Sequence, residues 1–141
     1  MPRAAKELTV SIQVFSDDTN LDAYQGEVVW TRDPDMSFQD WKLQLVKETP
    51  SGTGIYTIES TAFPGKCLEA TAKGGPVRLQ PRSPEKLSQL WMVGTGIEQT
   101  PIENNKFRAL VLTAHGPDTE VTLTEKQGEA PNQVWTLYEK K

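Results

Sequence analysis

The sequence predicts an all-β chain built from three similar repeats. A Gln-x-Trp motif occurs three times, at Gln39/Trp41, Gln89/Trp91 and Gln133/Trp135, so the tryptophans are 50 and then 44 residues apart. Stretches that alternate between apolar and polar residues precede each motif, and this alternation is typical of half-buried strands. Ten glycines and ten prolines in 141 residues supply the turns that many short strands need.

Each repeat shows the same order of features. A first alternating strand is followed by a three-residue step, a turn with glycine, a second strand, a polar loop and the Gln-x-Trp strand. The first strands are expected at Val10/Ile12/Val14, Ile55/Tyr56/Ile58 and Phe107/Leu110/Leu112. The steps are Leu21-Asp22-Ala23, Leu68-Glu69-Ala70 and Leu112-Thr113-Ala114.

Three four-stranded units of this size are expected to form one domain. A unit of about 40 residues cannot bury its apolar face alone, so the units should close around a pseudo-threefold axis as a β-trefoil. The predicted repeats span about 8–46, 54–97 and 106–139 of a single domain covering 1–141. Turn-rich segments at 47–54 and 97–105 separate them.

The composition narrows the range of functions. The net charge is −4 and the pI is about 5.0 with no basic stripe, so nucleic-acid binding is not expected. No apolar run approaches the ~18 residues of a membrane span. The single cysteine, Cys67, excludes an internal disulfide, and the first residues do not resemble a signal peptide. The expected location is cytoplasmic, with release by a non-classical route left open.

Catalytic and metal-binding groups are scarce. The only histidine, His115, lies in a predicted turn, and Cys67 adjoins the core-like Leu68. Neither a catalytic triad nor a zinc site can be assembled from one histidine and one cysteine. We therefore expect no enzyme activity, no metal and no cofactor.

The Gln-x-Trp residues themselves are expected to be structural. A tryptophan at the same place in every repeat most simply fills a shared core, where an indole buries a large apolar area. The glutamine amides are expected to bond backbone groups near the polar loop, since a buried amide needs partners.

Three Gln-x-Trp motifs, each preceded by an apolar step and a glycine turn, resemble those of the ricin-B-type (R-type) β-trefoil lectins. The resemblance covers residues 8–139, and in length the chain is similar to the single-domain fungal agglutinins of that group. It implies a protein that binds terminal galactose or N-acetylgalactosamine on glycans and glycoproteins. One site per chain cannot cross-link cells, so an agglutinin of this kind is expected to be a homodimer.

The resemblance also implies where the sugar binds, between the three-residue step and the second strand of the first repeat. Asp22 would accept hydrogen bonds from the sugar hydroxyls, and Trp30 would stack on the sugar ring. The full predicted set is Asp22, Tyr24, Gln25, Gly26, Trp30, Arg32, Phe38 and Gln39.

The sequence departs from the family at two positions in this region. Phe38 stands where the family often has asparagine, and Val28 stands where many relatives have glutamine. Arg32, Asp33 or Gln39 could compensate. Two structural alternatives stay open: Trp30 as a buried strand residue, and Asp22 fixing the turn through its own backbone.

The second and third repeats lack an aromatic residue at the predicted stacking position. Repeat two keeps an acid, Glu69, but the stacking position falls on Leu79 or Gln80. Repeat three has Thr113 in place of the acid and Leu123 or Thr124 in place of the ring. A single competent site in repeat one is therefore expected, with repeats two and three as scaffold or as weak secondary sites.

A protease inhibitor is the alternative function. Some inhibitors use the same fold and present a rigid loop to the protease. The segments 48–54 and 81–86 contain prolines, which stiffen a loop and lower the entropy lost on binding.

Overall fold

The computed structural model describes residues 6–34, 37–51, 53–93, 99–128 and 130–140. Repeat one contains β1 (Glu7–Val14), β2 (Asn20–Asp22), β3 (Trp30–Arg32) and β4 (Trp41–Glu48). Repeat two contains β5 (Gly54–Ser60), β6 (Lys66–Ala70), β7 (Val77–Pro81) and β8 (Trp91–Val93). Repeat three contains β9 (Ile102–Asn104), β10 (Leu110–Thr113), β11 (Thr119–Glu120), β12 (Thr122–Glu125) and β13 (Trp135–Glu139).

Two short 3-10 helices, Leu87–Gln89 and Pro131–Gln133, immediately precede the second and third Gln-x-Trp strands. Across the described residues, no helix has the length and apolar character that crossing a membrane requires.

The outer strands of the repeats form a barrel and the inner strands form hairpins. Antiparallel pairing joins β13, β1, β4, β5, β8 and β9 in that order. A bridge between Thr100 and Trp135 closes the ring next to β9 and β13. The hairpins are β2–β3, β6–β7 and β10–β12, and they hold Leu21, Leu68 and Leu112 opposite Thr31, Leu79 and Leu123. A six-stranded barrel with three hairpins is the β-trefoil arrangement that the repeats predicted.

Three valines mark the pseudo-threefold axis. The Val29 amide donates to the Val77 carbonyl at 2.9 Å, Val77 donates to Val121 at 3.3 Å, and Val121 donates to Val29 at 2.9 Å. All three side chains are completely buried. This ring of backbone hydrogen bonds identifies equivalent positions in the repeats independently of any sequence alignment.

The three Gln-x-Trp tryptophans lie in the core, as predicted. Trp41, Trp91 and Trp135 have no exposed surface. Each indole N–H donates to the carbonyl of the leucine in its repeat's three-residue step, at 2.9, 3.1 and 3.2 Å respectively. The tryptophans therefore connect the inner hairpins to the barrel. Each one buries a large apolar area while its indole N–H keeps a hydrogen-bond acceptor.

The Gln-x-Trp glutamines bond the backbone after the second strand, which is also as predicted. The side-chain amides of Gln39, Gln89 and Gln133 donate to carbonyl oxygens of residues 33, 81 and 125 at 2.7, 2.9 and 2.8 Å. In repeats two and three the glutamine oxygen accepts a backbone N–H as well.

The predicted opening strand of repeat three is wrong. The structure places it at Ile102–Asn104, whereas Phe107 lies in the turn that follows and Leu110 and Leu112 belong to the second strand. The hydropathy pattern does not indicate this strand, because Asn104 is polar although it is fully buried. Its amide donates to Ser88 O at 3.0 Å and its carbonyl oxygen accepts from the Phe107 N–H at 3.1 Å.

The predicted stacking positions of repeats two and three are also wrong. The register aligns Arg78 and Thr122 with Trp30, because they lie opposite Glu69 and Thr113 as Trp30 lies opposite Asp22. The cause is a loop before the Gln-x-Trp strand that is two residues shorter in repeat one. Eleven positions lead from Trp30 to Trp41, but thirteen lead from Arg78 to Trp91 and from Thr122 to Trp135. The conclusion that these repeats lack an aromatic ring there is unchanged.

Candidate functional site

Three strands place Asp22, Trp30 and Glu120 in one row across the sheet. Asp22 on β2 pairs with Trp30 on β3, and Glu120 on β11 pairs with Trp30 from the other side. Directly opposed residues on neighbouring strands point to the same face. The row therefore sets an aromatic ring between two carboxylates, one from its own repeat and one from repeat three.

The Asp22 carboxylate is completely buried and both of its oxygens are used. Oδ1 accepts from the Tyr24 N–H at 2.6 Å, and Oδ2 accepts from Gln39 Nε2 at 3.1 Å. Gln39 also accepts a hydrogen bond from Asn20 Nδ2 at 2.9 Å. The carboxylate therefore links the turn after β2 to the Gln-x-Trp motif. This agrees with the alternative in which Asp22 fixes the turn through its backbone.

Tyr24, Trp30 and Arg32 form a stack on the surface of the first repeat. The Tyr24 and Trp30 ring centroids are 4.8 Å apart with the planes inclined by 40°. The Arg32 guanidinium carbon lies 4.5 Å from the Tyr24 centroid, a cation–π distance. Trp30 is half-buried, so part of the residue is open to solvent. The alternative in which Trp30 is a buried strand residue is therefore only partly correct.

The backbone holds Tyr24 in an unfavourable conformation. Its φ of 45° lies in the left-handed region, which bulky residues rarely adopt. The hydrogen bond from its N–H to Asp22 and the contacts of its ring with Trp30 and Arg32 oppose this strain. Strained residues that are held by their surroundings cluster at binding sites. Tyr24 is such a residue in this turn.

The turn ends at Gly26, where both the backbone conformation and the available space require glycine. Its φ is +82°, and a Cβ atom there would lie 2.9 Å from Cε1 of Phe63. Phe63 in turn contacts Phe38, with ring centroids 5.7 Å apart, and both are partly buried against the core. Phe38 thus supports the turn from within and is not part of the Tyr24–Trp30–Arg32 stack.

Gln25 and Gly26 also border a surface depression shared with repeat two. This depression has a volume of about 450 Å³ and is lined in addition by Glu27, Lys66, Arg78, Leu79 and Gln80. Of the predicted site residues, the structure therefore joins Asp22 to Gln39 and joins Tyr24 to Trp30 and Arg32, whereas Gln25, Gly26 and Phe38 make other contacts.

The equivalent position in repeat two is polar. Glu69 accepts from Gln89 Nε2 at 2.9 Å and lies 3.8 Å from Lys86 Nζ. With Lys86, it lines a depression of about 410 Å³ that also includes Leu87, Ser88 and Lys106. The residue opposite Glu69 is the exposed Arg78, so no ring is available for stacking.

Repeat three has neither a carboxylate nor a ring at this position. The Thr113 and Thr124 hydroxyls are 2.6 Å apart, and Gln133 Nε2 donates to both. Asn132 donates to Ala114 O at 2.9 Å. These polar groups satisfy one another, and among the described residues of repeats two and three the Tyr24–Trp30–Arg32 stack has no counterpart.

Sequence reasoning did not identify Glu120 as part of this surface. The residue is contributed by β11, a two-residue strand of repeat three that pairs with β3 of repeat one. Asp118, just before this strand, forms an ion pair with Arg32 in which Oδ1 lies 3.4 Å from Nε. No local pattern in the sequence indicates pairing between these two repeats.

His115 and Cys67 are not part of the Tyr24–Trp30–Arg32 stack. His115 Nε2 is 2.6 Å from the Thr122 hydroxyl on repeat three. Cys67 is completely buried, and burial together with the nearby Glu59 raises the pKa of its thiol to about 12. Such a thiol is almost entirely protonated at neutral pH and is a poor nucleophile. Among the described residues, no group of three His, Cys, Asp or Glu side chains is placed to hold a metal ion.

Comparison with known proteins identifies the fold. No family model matches the chain, and no curated protein sequence matches it. A designed threefold-symmetric protein, ThreeFoil, is 19% identical over 92% of this chain and 97% of its own, with a TM-score of 0.75. The chain has the β-trefoil fold. At this level of identity the similarity concerns the fold alone.

Two natural proteins with similar structures are named as an agglutinin and a lectin. The agglutinin of Rhizoctonia solani is 18% identical, with a TM-score of 0.70 over 99% of this chain and all of its own. The C-terminal half of an earthworm R-type lectin, solved in complex with GalNAc, is 18% identical. It matches 94% of this chain and 99% of its own, with a TM-score of 0.66. These are the classes of protein that the Gln-x-Trp motifs resemble.

Proposed function

We propose that this chain is a carbohydrate-binding β-trefoil protein of the R-type lectin kind. The observation on which this rests is the stack of Tyr24, Trp30 and Arg32 above the Asp22–Gln39 pair, which repeat one alone possesses among the described residues. The similarity in structure to an agglutinin and to a GalNAc-binding lectin supports the same proposal.

The chemistry of the stack suits a sugar. A pyranose has a patch of C–H groups that packs on an aromatic face, while the hydroxyls around its edge need polar partners. The exposed part of the Trp30 indole offers the face, and Arg32 offers donors at its side. A galactose-type sugar, in which one face carries such a patch, is the ligand class that we propose, with N-acetylgalactosamine as its close variant.

The proposed role is binding without catalysis. The Cys67 thiol is buried and protonated, and neither Cys67 nor His115 belongs to the stack on which we propose that the sugar binds. We further propose that the chain acts as a homodimer, because one site per chain gives cross-linking only when two chains are joined.

A glycan array tests the proposal. The array should include terminal galactose, N-acetylgalactosamine, mannose and sialylated glycans. We expect binding to the first two, and we expect Trp30→Ala to weaken it tenfold or more, a loss of about 1.4 kcal/mol or above. Arg78→Ala is the matched control, because Arg78 occupies the position of Trp30 in repeat two and is exposed.

The outcomes separate the parts of the proposal. A protein that binds none of these glycans would exclude the lectin function. Equal binding by the wild type and Trp30→Ala, with both proteins folded, would exclude the site in repeat one. Light scattering during size-exclusion chromatography measures the number of chains in the particle, and a monomer would exclude the homodimer.

A further inference from the structure

Repeat three supplies one wall of the surface around Trp30. Strand β11 pairs Thr119 with Thr31 and Glu120 with Trp30. The Asp118 amide donates to Thr31 O at 2.7 Å, and the buried Thr31 hydroxyl donates to Gly116 O at 2.8 Å. The segment before and through β11 is therefore fixed to β3 by several bonds, and its position beside Trp30 is part of the fold.

The pairing geometry brings Glu120 close to the indole. The Val121 amide donates to Val29 O at 2.9 Å. Val29 and Val121 are therefore a hydrogen-bonded pair, and the adjacent residues Trp30 and Glu120 are a non-hydrogen-bonded pair. In a non-hydrogen-bonded pair the Cα atoms are only about 4.5 Å apart and the side chains are closer than in the other kind. Glu120 is exposed, and within the described ranges its carboxylate has no hydrogen bond or ion pair.

The two carboxylates beside Trp30 are therefore in opposite states. Asp22 is completely buried with both oxygens bonded to the protein, so no ligand reaches its carboxylate in this structure. Glu120 keeps its acceptor capacity free at the surface. Charge-assisted hydrogen bonds to a carboxylate are roughly twice as strong as neutral ones.

We propose that Glu120 is the residue that accepts hydroxyl hydrogen bonds from a sugar stacked on Trp30 and that makes the site selective for uncharged glycans. Asp22 is then a positioning residue, which holds Tyr24 and Gln39. This inference rests on the proposed function, since it names the ligand contacts of the same site.

The selectivity follows from the charges around Trp30. The positive charge of Arg32 is paired with Asp118, so Glu120 leaves the exposed surface with an excess negative charge. A sialylated glycan would bring a second carboxylate toward Glu120, and like charges in proximity oppose binding. Neutral galactose-type glycans instead bring hydroxyl donors.

Calorimetric titration of lactose and of sialyllactose into Glu120→Gln tests the inference. Glutamine retains the size and one acceptor oxygen but loses the charge. We expect lactose affinity to fall about fivefold, because a neutral acceptor forms the weaker bond. We expect sialyllactose affinity to rise, so that the ratio of the two affinities falls about tenfold or more. Glu139→Gln is the control, as Glu139 is an exposed glutamate on β13, which pairs with β1 and not with β3.

A charge reversal, Glu120→Lys, gives a second measurement. It should reverse the preference, so that sialyllactose binds more tightly than lactose. If Glu120→Gln and Glu120→Lys both keep the wild-type affinities while Trp30→Ala loses binding, the role of Glu120 is refuted and the lectin function survives. If the wild type binds neither glycan, or Trp30→Ala binds as well as the wild type, both the proposed site and the role of Glu120 are refuted.

Discussion

Replacing Trp135 with alanine measures what a Gln-x-Trp tryptophan contributes to the fold. The side chain has no exposed surface, and its indole N–H donates to Leu112 O at 3.2 Å. Truncating a fully buried tryptophan to alanine typically lowers the free energy of unfolding by about 3–5 kcal/mol. Loss of the hydrogen bond accounts for about 1 kcal/mol of that change. Because domains of this size have about 5–15 kcal/mol in total, the variant should be severely destabilised.

Urea denaturation followed by circular dichroism is the appropriate assay, because fluorescence would change with the loss of a tryptophan. Trp30→Ala is the matched control, since it removes the same side chain from a half-exposed position. Its contact with Tyr24 is a single aromatic pair, and such pairs contribute about 0.5–1.5 kcal/mol. We expect the urea midpoint to fall far more for Trp135→Ala than for Trp30→Ala.

Two results would refute this reasoning. The first is a Trp135→Ala protein whose unfolding free energy is lowered no more than that of Trp30→Ala. The second is a Trp135→Ala protein that keeps the wild-type midpoint but loses glycan binding, since that would make Trp135 a ligand contact and not a core residue.

Three further predictions concern the turn, the thiol and the proline-containing loop. Gly26→Ala should lower the unfolding free energy by about 1–3 kcal/mol, because alanine resists the positive φ and its Cβ would press on Phe63. Cys67 should make the fold sensitive to alkali. Burial raises the pKa of this thiol from about 9 to about 12, so between these pH values only the unfolded state loses the proton. The free energy of unfolding should therefore be unaffected below pH 9 and fall above it, by at most about 1.4 kcal/mol per pH unit. Ser83→Ala should raise the pKa of Glu85 in an NMR titration, because the Ser83 hydroxyl donates to that carboxylate at 2.5 Å and lowers its pKa.

Each of these has a matched control. Gly65 has a φ of +86° with nothing within 4 Å of an added Cβ, so Gly65→Ala isolates the backbone strain and should cost less than Gly26→Ala. Cys67→Ala should lose stability less steeply than the wild type above pH 9, and parallel slopes would contradict the assignment to the thiol. An unchanged Glu85 pKa in Ser83→Ala would mean that the hydroxyl does not hold that carboxylate in solution.

The sequence predicted the fold because its strongest signals are local and repeated. The Gln-x-Trp motifs, the leucine of each three-residue step and the alternating strands belong to one framework, and the structure joins them by the same indole bond in every repeat. The first strand of repeat three escaped prediction because polar Thr100 and Asn104 stand where repeat one has Val10 and Val14. The predicted stacking positions of repeats two and three were shifted because the loop between Trp30 and Trp41 in repeat one is two residues shorter than its counterparts.

The candidate site was harder to predict because part of it depends on contacts between repeats. The sequence indicated Asp22 and Trp30, and the structure places them opposite each other with Tyr24 and Arg32 stacked nearby. It could not indicate that Asp22 is fully buried, since burial depends on how the turn folds over the carboxylate. Nor could it indicate Glu120, which reaches Trp30 only through pairing between repeats one and three.

The ring of hydrogen bonds at the axis has a consequence for how the domain folds. Val29, Val77 and Val121 each donate to one repeat and accept from another, so two repeats alone leave a donor and an acceptor unpaired. A linear array of repeats can grow by adding units to an already stable end, and each unit needs only its neighbours. A ring of three has no such end. The stability of each repeat is conditional on the other two, which favours an all-or-none folding transition with no partially assembled state of comparable stability.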